Sequence, residues 1–355
     1  MNRRITDFGS GLKFAFPLLI VCVSVWGQEA SGRGTPNLPA ADLGSVVEVG
    51  NDSFATYKED FSSLSLAGSN LQPLTPVLGE KDVYPDFTRE ILKVEWRPSD
   101  PIYLYVMLPR NVKNPPAILY LYAYPSENDR FRDEDFSRLL IKNGTAAIGF
   151  VSALTGHRYH DRPMKEWFIS ELEESLGASV HDVQMIINYL SGRGDIDTGR
   201  IGMFGDGSGG TIAILAAAVD PRIKVLDLLE PWGDWPDWLA KSVLVPEEER
   251  ATYLQPEFLK RVEPLDPVRW VSQLGSRTIR LQLAPYETLT PSAARARLEK
   301  AMPPKVEIVR YENSQALLQA ASSGQFFDWI QFRVRSGASG PEATAALQDP
   351  ATGRH

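Results

Sequence analysis

Cysteine is nearly absent from this sequence, since Cys22 is the only one among 355 residues. One thiol forms no intramolecular disulfide, so packing rather than covalent cross-links must hold the folded chain together. Hydrophobic residues make up 43% of the chain and charged residues 23%, which is the balance of a globular protein. The length is sufficient for a large core, so we expect one large α/β domain with extensions.

Positive charge is also in deficit. The chain carries 37 Lys and Arg against 45 Asp and Glu, which gives a net charge of −8 and a pI near 5.2. No local cluster of basic residues compensates for this excess of acid. A nucleic-acid partner requires a basic face, so the composition argues against DNA or RNA as a ligand.

Long apolar runs are missing as well. The main one covers residues 14–26, follows Arg3, Arg4 and Lys13, and contains Pro17. A transmembrane helix needs about 20 apolar residues, so this run is short for a span. Its layout is that of a secretory signal peptide, residues 1–27, cleaved after Gly27 to give a secreted or periplasmic protein. An uncleaved membrane anchor at the N-terminus is the alternative.

Histidine is scarce, and none occurs between His181 and His355. Histidine is the usual general base near neutral pH, so the C-terminal part of the chain offers no such base.

The flanking regions offer little pattern of any kind. We interpret residues 28–86 as a leader and N-terminal extension, with the role of residues 44–86 left open, and residues 336–355 as a disordered tail.

The most informative stretch is residues 200–219, RIGMFGDGSGGTIAILAAAV, in which an apolar strand runs through a glycine-dense turn into an alanine-rich helix. The letters GDGSGG at residues 205–210 fit G-x-G-x-x-G, but this strand lies in the middle of the chain, and no lysine follows the glycines as G-x-x-x-x-G-K-[ST] requires, so a nucleotide site is disfavoured. The pattern is that of a nucleophile elbow, G-x-S-x-G. Gly205, Gly207 and Gly209 occupy its first, third and fifth places, and Ser208 stands one residue late.

At these residues the chain resembles the α/β-hydrolase family, in particular its bacterial esterase and oligopeptidase-like branches. Arg200, Ile201, Gly202, Gly209 and Gly210 fit the family's frame in register. The resemblance implies an α/β fold with a mostly parallel, doubly wound sheet covered by helices on both faces. It covers residues 87–335 and places a helical cap-like insertion at residues 239–274.

The resemblance also implies positions for a catalytic triad. The nucleophile place holds Gly207, which has no side chain, and the acid place after the penultimate strand holds Glu287. The base place after the last strand contains no histidine. The family's oxyanion donors correspond to the backbone N–H of Ala123 or Tyr124 and that of Ser208.

A polar loop at residues 155–163 follows a predicted strand and should reach the carboxyl edge of the sheet, where such folds bind ligands. It carries His157, Arg158, His160 and Asp161. The alternative is a solvated loop whose histidines bond locally. A metal or carbohydrate site that also uses Asp206 and Glu230 is a weaker interpretation, because the spacing selects no metal. We predict neither a metal nor a cofactor.

Two further groups of residues are ambiguous. Trp232, Trp235 and Trp238 recur every third residue, which is typical of packing but also suits one wall of a ligand pocket. His181 and Asp182 lie on a predicted helix, off its apolar stripe, and we expect them to be solvated or to act as capping groups.

Two functions therefore compete. The first is an exported α/β-hydrolase-fold protein that lacks the triad and serves as a binding module, with a small molecule as its ligand. The second is an ester or peptide hydrolase in which Ser208 attacks and His157 or His160 acts as base. Against the second, a shift of one residue along a helix rotates a side chain by about 100°, so Ser208 would point away from the oxyanion donors. The sequence does not specify the ligand or the oligomeric state.

Overall fold

A computed structural model describes residues 59–66, 72–97, 100–123, 129–153, 169–284 and 289–337. The strands in these ranges are β1 (Val77–Val83), β2 (Phe87–Val94), β3 (Ile102–Pro109), β4 (Pro116–Leu121), β5 (Ala146–Phe150), β6 (Asp197–Asp206), β7 (Ile223–Leu229), β8 (Thr278–Leu283) and β9 (Glu307–Arg310). They form one sheet in the order β1-β2-β3-β5-β4-β6-β7-β8-β9. The pairs from β1 through β3 to β5 are antiparallel, and all pairs from β5 to β9 are parallel.

The sheet follows the sequence pattern in its centre and departs from it at one edge. All six residues of β4 are buried, as predicted for a continuous apolar strand with helices on both faces. The antiparallel pair predicted around residues 91–108 is β2 and β3. Sequence reasoning missed β1, because this edge strand is exposed on both faces and so has no alternating pattern.

Helices cover both faces of the sheet. They are α1 (Glu134–Ile141), α2 (Leu172–Arg193), α3 (Ser208–Val219), α4 (Trp235–Lys241), α5 (Arg250–Tyr253), α6 (Pro256–Val262), α7 (Pro267–Trp270), α8 (Ser292–Ala301), α9 (Ser314–Ser322) and α10 (Asp328–Arg335). The sequence pattern predicts one closing helix over residues 317–334. The structure instead has two helices in this part of the chain, α9 and α10. Gly324 lies between them with φ of +71°, a conformation that ends a helix.

Two hydrophobic clusters lie on opposite faces of the sheet. Leu119 and Leu121 of β4 join α2, α3 and the segment after β7 in the first cluster. Ile118 and Tyr120 join α1, α9 and α10 in the second. This alternation along one strand is the period of two expected where both faces are covered.

Residues 239–274 lie between β7 and β8, where the resemblance predicts a cap-like insertion. Short α-helices and 3₁₀ turns occupy it, and they pack on α2 and α3. A lid function for this insertion stays a prediction.

The expectation that His181 and Asp182 are solvated is wrong, since their exposed fractions are 1% and 0%. Residues 59–66 cover this side of α2. The Nδ1 of His181 lies 2.5 Å from a Glu59 carboxylate oxygen, and its Nε2 lies 2.7 Å from the Ser63 carbonyl oxygen. The Arg97 guanidinium donates to Asp182 at 2.7 Å and to Glu59 at 2.6 Å. A buried ionic network thus fastens the N-terminal extension to the domain.

The helices of the described ranges include none that is both long and apolar enough to span a bilayer. Residues 1–58, and with them the predicted signal peptide, lie outside those ranges.

Candidate functional site

The predicted turn lies between β6 and α3. Gly207 has φ of 53° and ψ of −116°, and the helix starts at Ser208. For a glycine at the tip of a strained strand-to-helix turn we predict a left-handed backbone conformation. The positive φ agrees with that prediction, but ψ belongs to the first central position of a type II′ turn rather than to the left-handed helical region. The Gly207 N–H donates to the Leu229 carbonyl at 2.9 Å, and the Gly207 carbonyl accepts from the Thr211 N–H at 3.1 Å. Neighbouring strand and helix therefore both hold the turn in place.

The glycines around this turn allow β4, β6 and α3 to approach closely. A Cβ at Gly209 would lie 2.3 Å from the Leu121 carbonyl oxygen, which is far inside van der Waals contact. This close backbone contact brings the start of α3 against the end of β4.

The space above Gly207 is filled. A Cβ at this position would lie 2.8 Å from the Ala123 Cβ and 3.1 Å from both Cε2 and Nε1 of the Trp232 indole. Backbone strain adds to this crowding, because side-chain-bearing residues rarely adopt such a φ. Position 207, which the resemblance predicts to be the place of the nucleophile, therefore lacks a side chain, and a side chain added there would require Ala123 and Trp232 to shift.

The tryptophans of this segment are packed in the core. Trp232 stacks on Trp238 with ring centroids 5.1 Å apart, and Trp235 meets Trp238 edge-on at 5.8 Å. The exposed fractions of the three side chains are 3%, 1% and 0% in chain order. The Thr211 hydroxyl donates to the Trp232 carbonyl at 2.6 Å and ties the segment to α3. These three side chains therefore pack against one another in the core, which is the first of the two roles that their spacing allowed.

Ser208 is the first residue of α3, and only 1% of it is exposed. The residue is thus almost fully covered by neighbouring atoms. The structure thus places Ser208 at the turn, as the sequence predicted, but inside the packing rather than at an open mouth.

Asp206, the last residue of β6, is half-buried. It makes no hydrogen bond or ion pair within the described part of the chain. Burial raises the pKa of its carboxyl to about 7, and the charge of Arg130 opposes part of that shift. The Arg130 guanidinium itself lies 3.9 Å from the centroid of the Tyr122 ring. The site therefore contains one carboxyl that is poorly stabilised in its charged form.

Glu230 follows β7 and has φ of 44°, which is strained for a residue with a side chain. Its carboxyl is buried, accepts from the Ala284 N–H, and lies 3.2 Å from the Arg295 guanidinium. Burial raises the pKa of Glu230 to about 7 against the effect of Arg295. These contacts make Glu230 a tie between β7, β8 and α8.

Sequence reasoning missed a buried polar network that joins β7, β8 and the residue after β9. Asp227 is fully buried and accepts from Arg280 at 2.6 Å and from the Gln282 amide at 2.8 Å. The Tyr311 hydroxyl donates to Gln282 at 2.6 Å. The available signal was the presence of Asp227 and Arg280 inside two otherwise apolar segments of the sequence. Charged side chains that are buried in strands must be paired.

Tyr311 stands directly after β9, at the place where the family has its base, and Asn313 caps α9 there by accepting from the Ala316 N–H. Several other predicted site residues lie outside the described ranges: His157, His160, Asp161, Tyr124 and Glu287. Their roles stay predictions.

Two cavities in the described part of the chain lie away from the turn. One of about 440 Å³ is lined by residues 59–61, the start of α2 and residues of α6, and another of about 450 Å³ by α4, α6 and α7. Neither is lined by Gly207, Ser208 or Trp232. Among the residues placed by the structure, no group of three His, Cys, Asp or Glu side chains could hold a metal ion.

Solved structures share this architecture at low sequence identity. An acetyl xylan esterase from Thermoanaerobacterium superposes with a TM-score of 0.51 at 12% identity, over 71% of this chain and 89% of that one. The 2,6-dihydroxy-pseudo-oxynicotine hydrolase gives 0.52 at 17% identity, over 70% and 68%. The Pyrococcus horikoshii acylaminoacyl peptidase gives 0.55 at 12% identity, over 79% of this chain and 45% of the peptidase.

No protein-family model matches the sequence, and no curated protein matches it. Identities this low establish the fold alone. The chain has the α/β-hydrolase fold, with its mostly parallel sheet and flanking helices, as the sequence predicted.

The filled space above Gly207 predicts that Gly207→Ala destabilises the protein by about 2–5 kcal/mol, through backbone strain and overpacking together. Gly192→Ala is the matched control, because a Cβ there in α2 meets nothing within 4 Å. That change should be neutral or stabilise by up to about 1 kcal/mol. Urea unfolding of both variants measures the difference, and equal midpoints would contradict the account of the turn.

The raised pKa of Asp206 predicts a pH dependence of stability. Because the folded-state pKa of about 7 exceeds the ordinary value of 3.8, folding favours the protonated form, and stability falls as pH rises from about 4 to 7. Asp206→Asn should remove this part of the decline and stabilise the protein at pH 8 by about 1–3 kcal/mol, a range reduced because the group is only half-buried. The exposed Asp135→Asn is the control, and identical pH profiles for Asp206→Asn and wild type would refute the assignment.

Proposed function

We propose that this protein is an exported, non-hydrolytic member of the α/β-hydrolase fold that serves as a binding or interaction module. One observation carries the proposal: Gly207 stands at the nucleophile place, and Ala123 and Trp232 fill the space that a nucleophilic side chain needs. Loss of one triad member already removes most of the catalysis of such a unit.

The region after β9 supports the same conclusion. Residues 311–337 contain no histidine, so no imidazole there can accept a proton from a hydroxyl at the turn. The place of the base is taken by Tyr311, whose hydroxyl is committed to Gln282. The Gln282 amide in turn bonds to Asp227, so these polar groups stabilise the sheet instead of serving chemistry.

The competing function is hydrolysis by Ser208 with a base from His157 or His160. Both histidines lie outside the described ranges, and the burial of Ser208 argues against its use as a nucleophile. Export rests on the sequence of residues 1–27, whose basic start and short apolar run suit a cleaved signal peptide. A small-molecule ligand remains part of the proposal, with its contacts drawn from loops at the carboxyl edge of the sheet rather than from the packed tryptophans.

Hydrolysis of p-nitrophenyl acetate tests the proposal. We expect no saturable turnover by the wild-type protein, and the same slow background for Ser208→Ala and for the exposed-site control Ser276→Ala. Turnover well above background that disappears in Ser208→Ala and persists in Ser276→Ala would establish the displaced-serine hydrolase instead.

A further inference from the structure

The contacts of His181 on α2 determine which protons its ring carries. Its Nδ1 lies 2.5 Å from a carboxylate oxygen of Glu59, and its Nε2 lies 2.7 Å from the Ser63 carbonyl oxygen. A carbonyl oxygen and an ionised carboxylate only accept hydrogen bonds, so each ring nitrogen must carry a proton to bond to its partner. Only 1% of the side chain is exposed, which leaves no room for water to replace either partner. A ring with a proton on both nitrogens is an imidazolium cation.

The Glu59 carboxyl is ionised, as this argument requires. Arg97 donates to both of its oxygens, at 2.6 Å and 2.7 Å. Burial acts to raise the pKa of Glu59, but the hydrogen bonds and charges of Arg97 and His181 outweigh burial and lower this pKa below its ordinary value. An arrangement in which a neutral Glu59 donates its own proton to Nδ1 is therefore disfavoured.

The charges around the ring also favour the cation. Among the described residues they come from the N-terminal extension, the segment after β2, and α2. They are one guanidinium and four carboxylates: Arg97, Glu59, Asp60, Asp100 and Asp182. A neutral ring would leave this excess of negative charge as it is, whereas an imidazolium reduces it. The effect is large in a buried region, because the effective dielectric constant there is low.

We infer that His181 is a pH-sensitive switch that holds residues 59–63 on α2 while its ring is doubly protonated. When the ring gives up one proton to solvent, either Nδ1 or Nε2 becomes an acceptor, and that nitrogen then faces an oxygen that also only accepts. A buried polar atom that loses its hydrogen bond is destabilising. The contact therefore stabilises the bound extension at acidic pH, and this stabilisation is lost as pH rises.

The neighbouring residues 64–66 are held by contacts of another kind. Leu64 and Leu66 belong to the first hydrophobic cluster. The Gln184 amide donates to the Leu64 carbonyl at 2.7 Å and accepts from the Leu66 N–H at 3.0 Å. None of these groups titrates near neutral pH. The release is therefore confined to the residues before Leu64.

Release of this segment changes the access to a cavity. Residues 59–61 form one wall of the cavity of about 440 Å³, and the start of α2 and residues of α6 form the rest of its lining. The movable wall is thus the part of the extension that His181 holds. This cavity should open as pH rises.

Nuclear magnetic resonance of protein labelled with ¹⁵N-histidine tests the protonation state. The two ring nitrogens have nearly equal chemical shifts in an imidazolium and widely separated shifts in a neutral ring. Replacing His157, His160 and His355 by Gln, one at a time, assigns the other three histidines, so His181 itself stays intact. We expect nearly equal shifts for His181 near pH 7.5, where a free imidazole is mostly neutral. Widely separated shifts at that pH would overturn the inference.

Limited proteolysis with chymotrypsin tests the release between pH 6 and pH 10. The rate of cleavage after Phe61 is divided by the rate for a synthetic peptide of residues 58–67 at the same pH. We expect this ratio to rise at least about tenfold over the pH interval in which the His181 ring deprotonates, because cleavage requires a segment that has left the fold. The ratio for cleavage after Leu64 should change much less.

Variants separate the switch from a general effect of pH. His181→Gln, with its fold checked by circular dichroism, should be cut after Phe61 at the faster rate at every pH. The exposed Asp135→Asn, on the opposite face of the sheet, should keep the wild-type profile. A wild-type ring that deprotonates without any change in cleavage after Phe61 would contradict the switch, and so would a ring that stays doubly protonated up to pH 10.

Discussion

The contact of Gly207 with Ala123 and Trp232 is the constraint on which the rest of the site depends. A Cβ at residue 207 would lie 2.8 Å from the Ala123 Cβ and 3.1 Å from two atoms of the Trp232 ring, so any side chain there requires these neighbours to shift. Trp232 is held in this position by its ring stacking on Trp238 and by the hydrogen bond that its carbonyl accepts from the Thr211 hydroxyl. A turn that in related folds lifts a reactive side chain above the sheet is here closed by core packing.

The polar groups near this turn follow the same logic. Asp227 forms an ion pair with Arg280 and accepts a hydrogen bond from the Gln282 amide. Glu230 connects β7, β8 and α8 through its contacts with Ala284 and Arg295. Removing one partner of such a buried pair costs several kcal/mol, so these residues are fixed by stability alone. Asp206 is the exception, since its carboxylate has no hydrogen-bond or ion-pair partner within the described chain, and burial raises its pKa to about 7 against the opposing effect of the Arg130 charge.

The sequence predicted the fold better than the site. Apolar strands such as β4 and the glycine-dense turn at Gly207 carry local patterns, and their order along the chain identified the sheet. The burial of His181 had no local signal, because its partners Glu59 and Ser63 come from more than a hundred residues earlier. The packing of Trp232 above Gly207 was equally hidden. The sequence shows that residue 232 is an aromatic side chain, but it does not show which atoms that side chain contacts in the fold.

The central claim is that no residue at this turn can act as a nucleophile, and a fluorophosphonate probe tests it most directly. The folded full-length protein is treated with the probe beside an active serine hydrolase, and intact mass and peptide mapping locate any adduct. The account predicts an unmodified mass for this protein under conditions that fully label the hydrolase. A stoichiometric adduct on Ser208 that requires the folded state would contradict it.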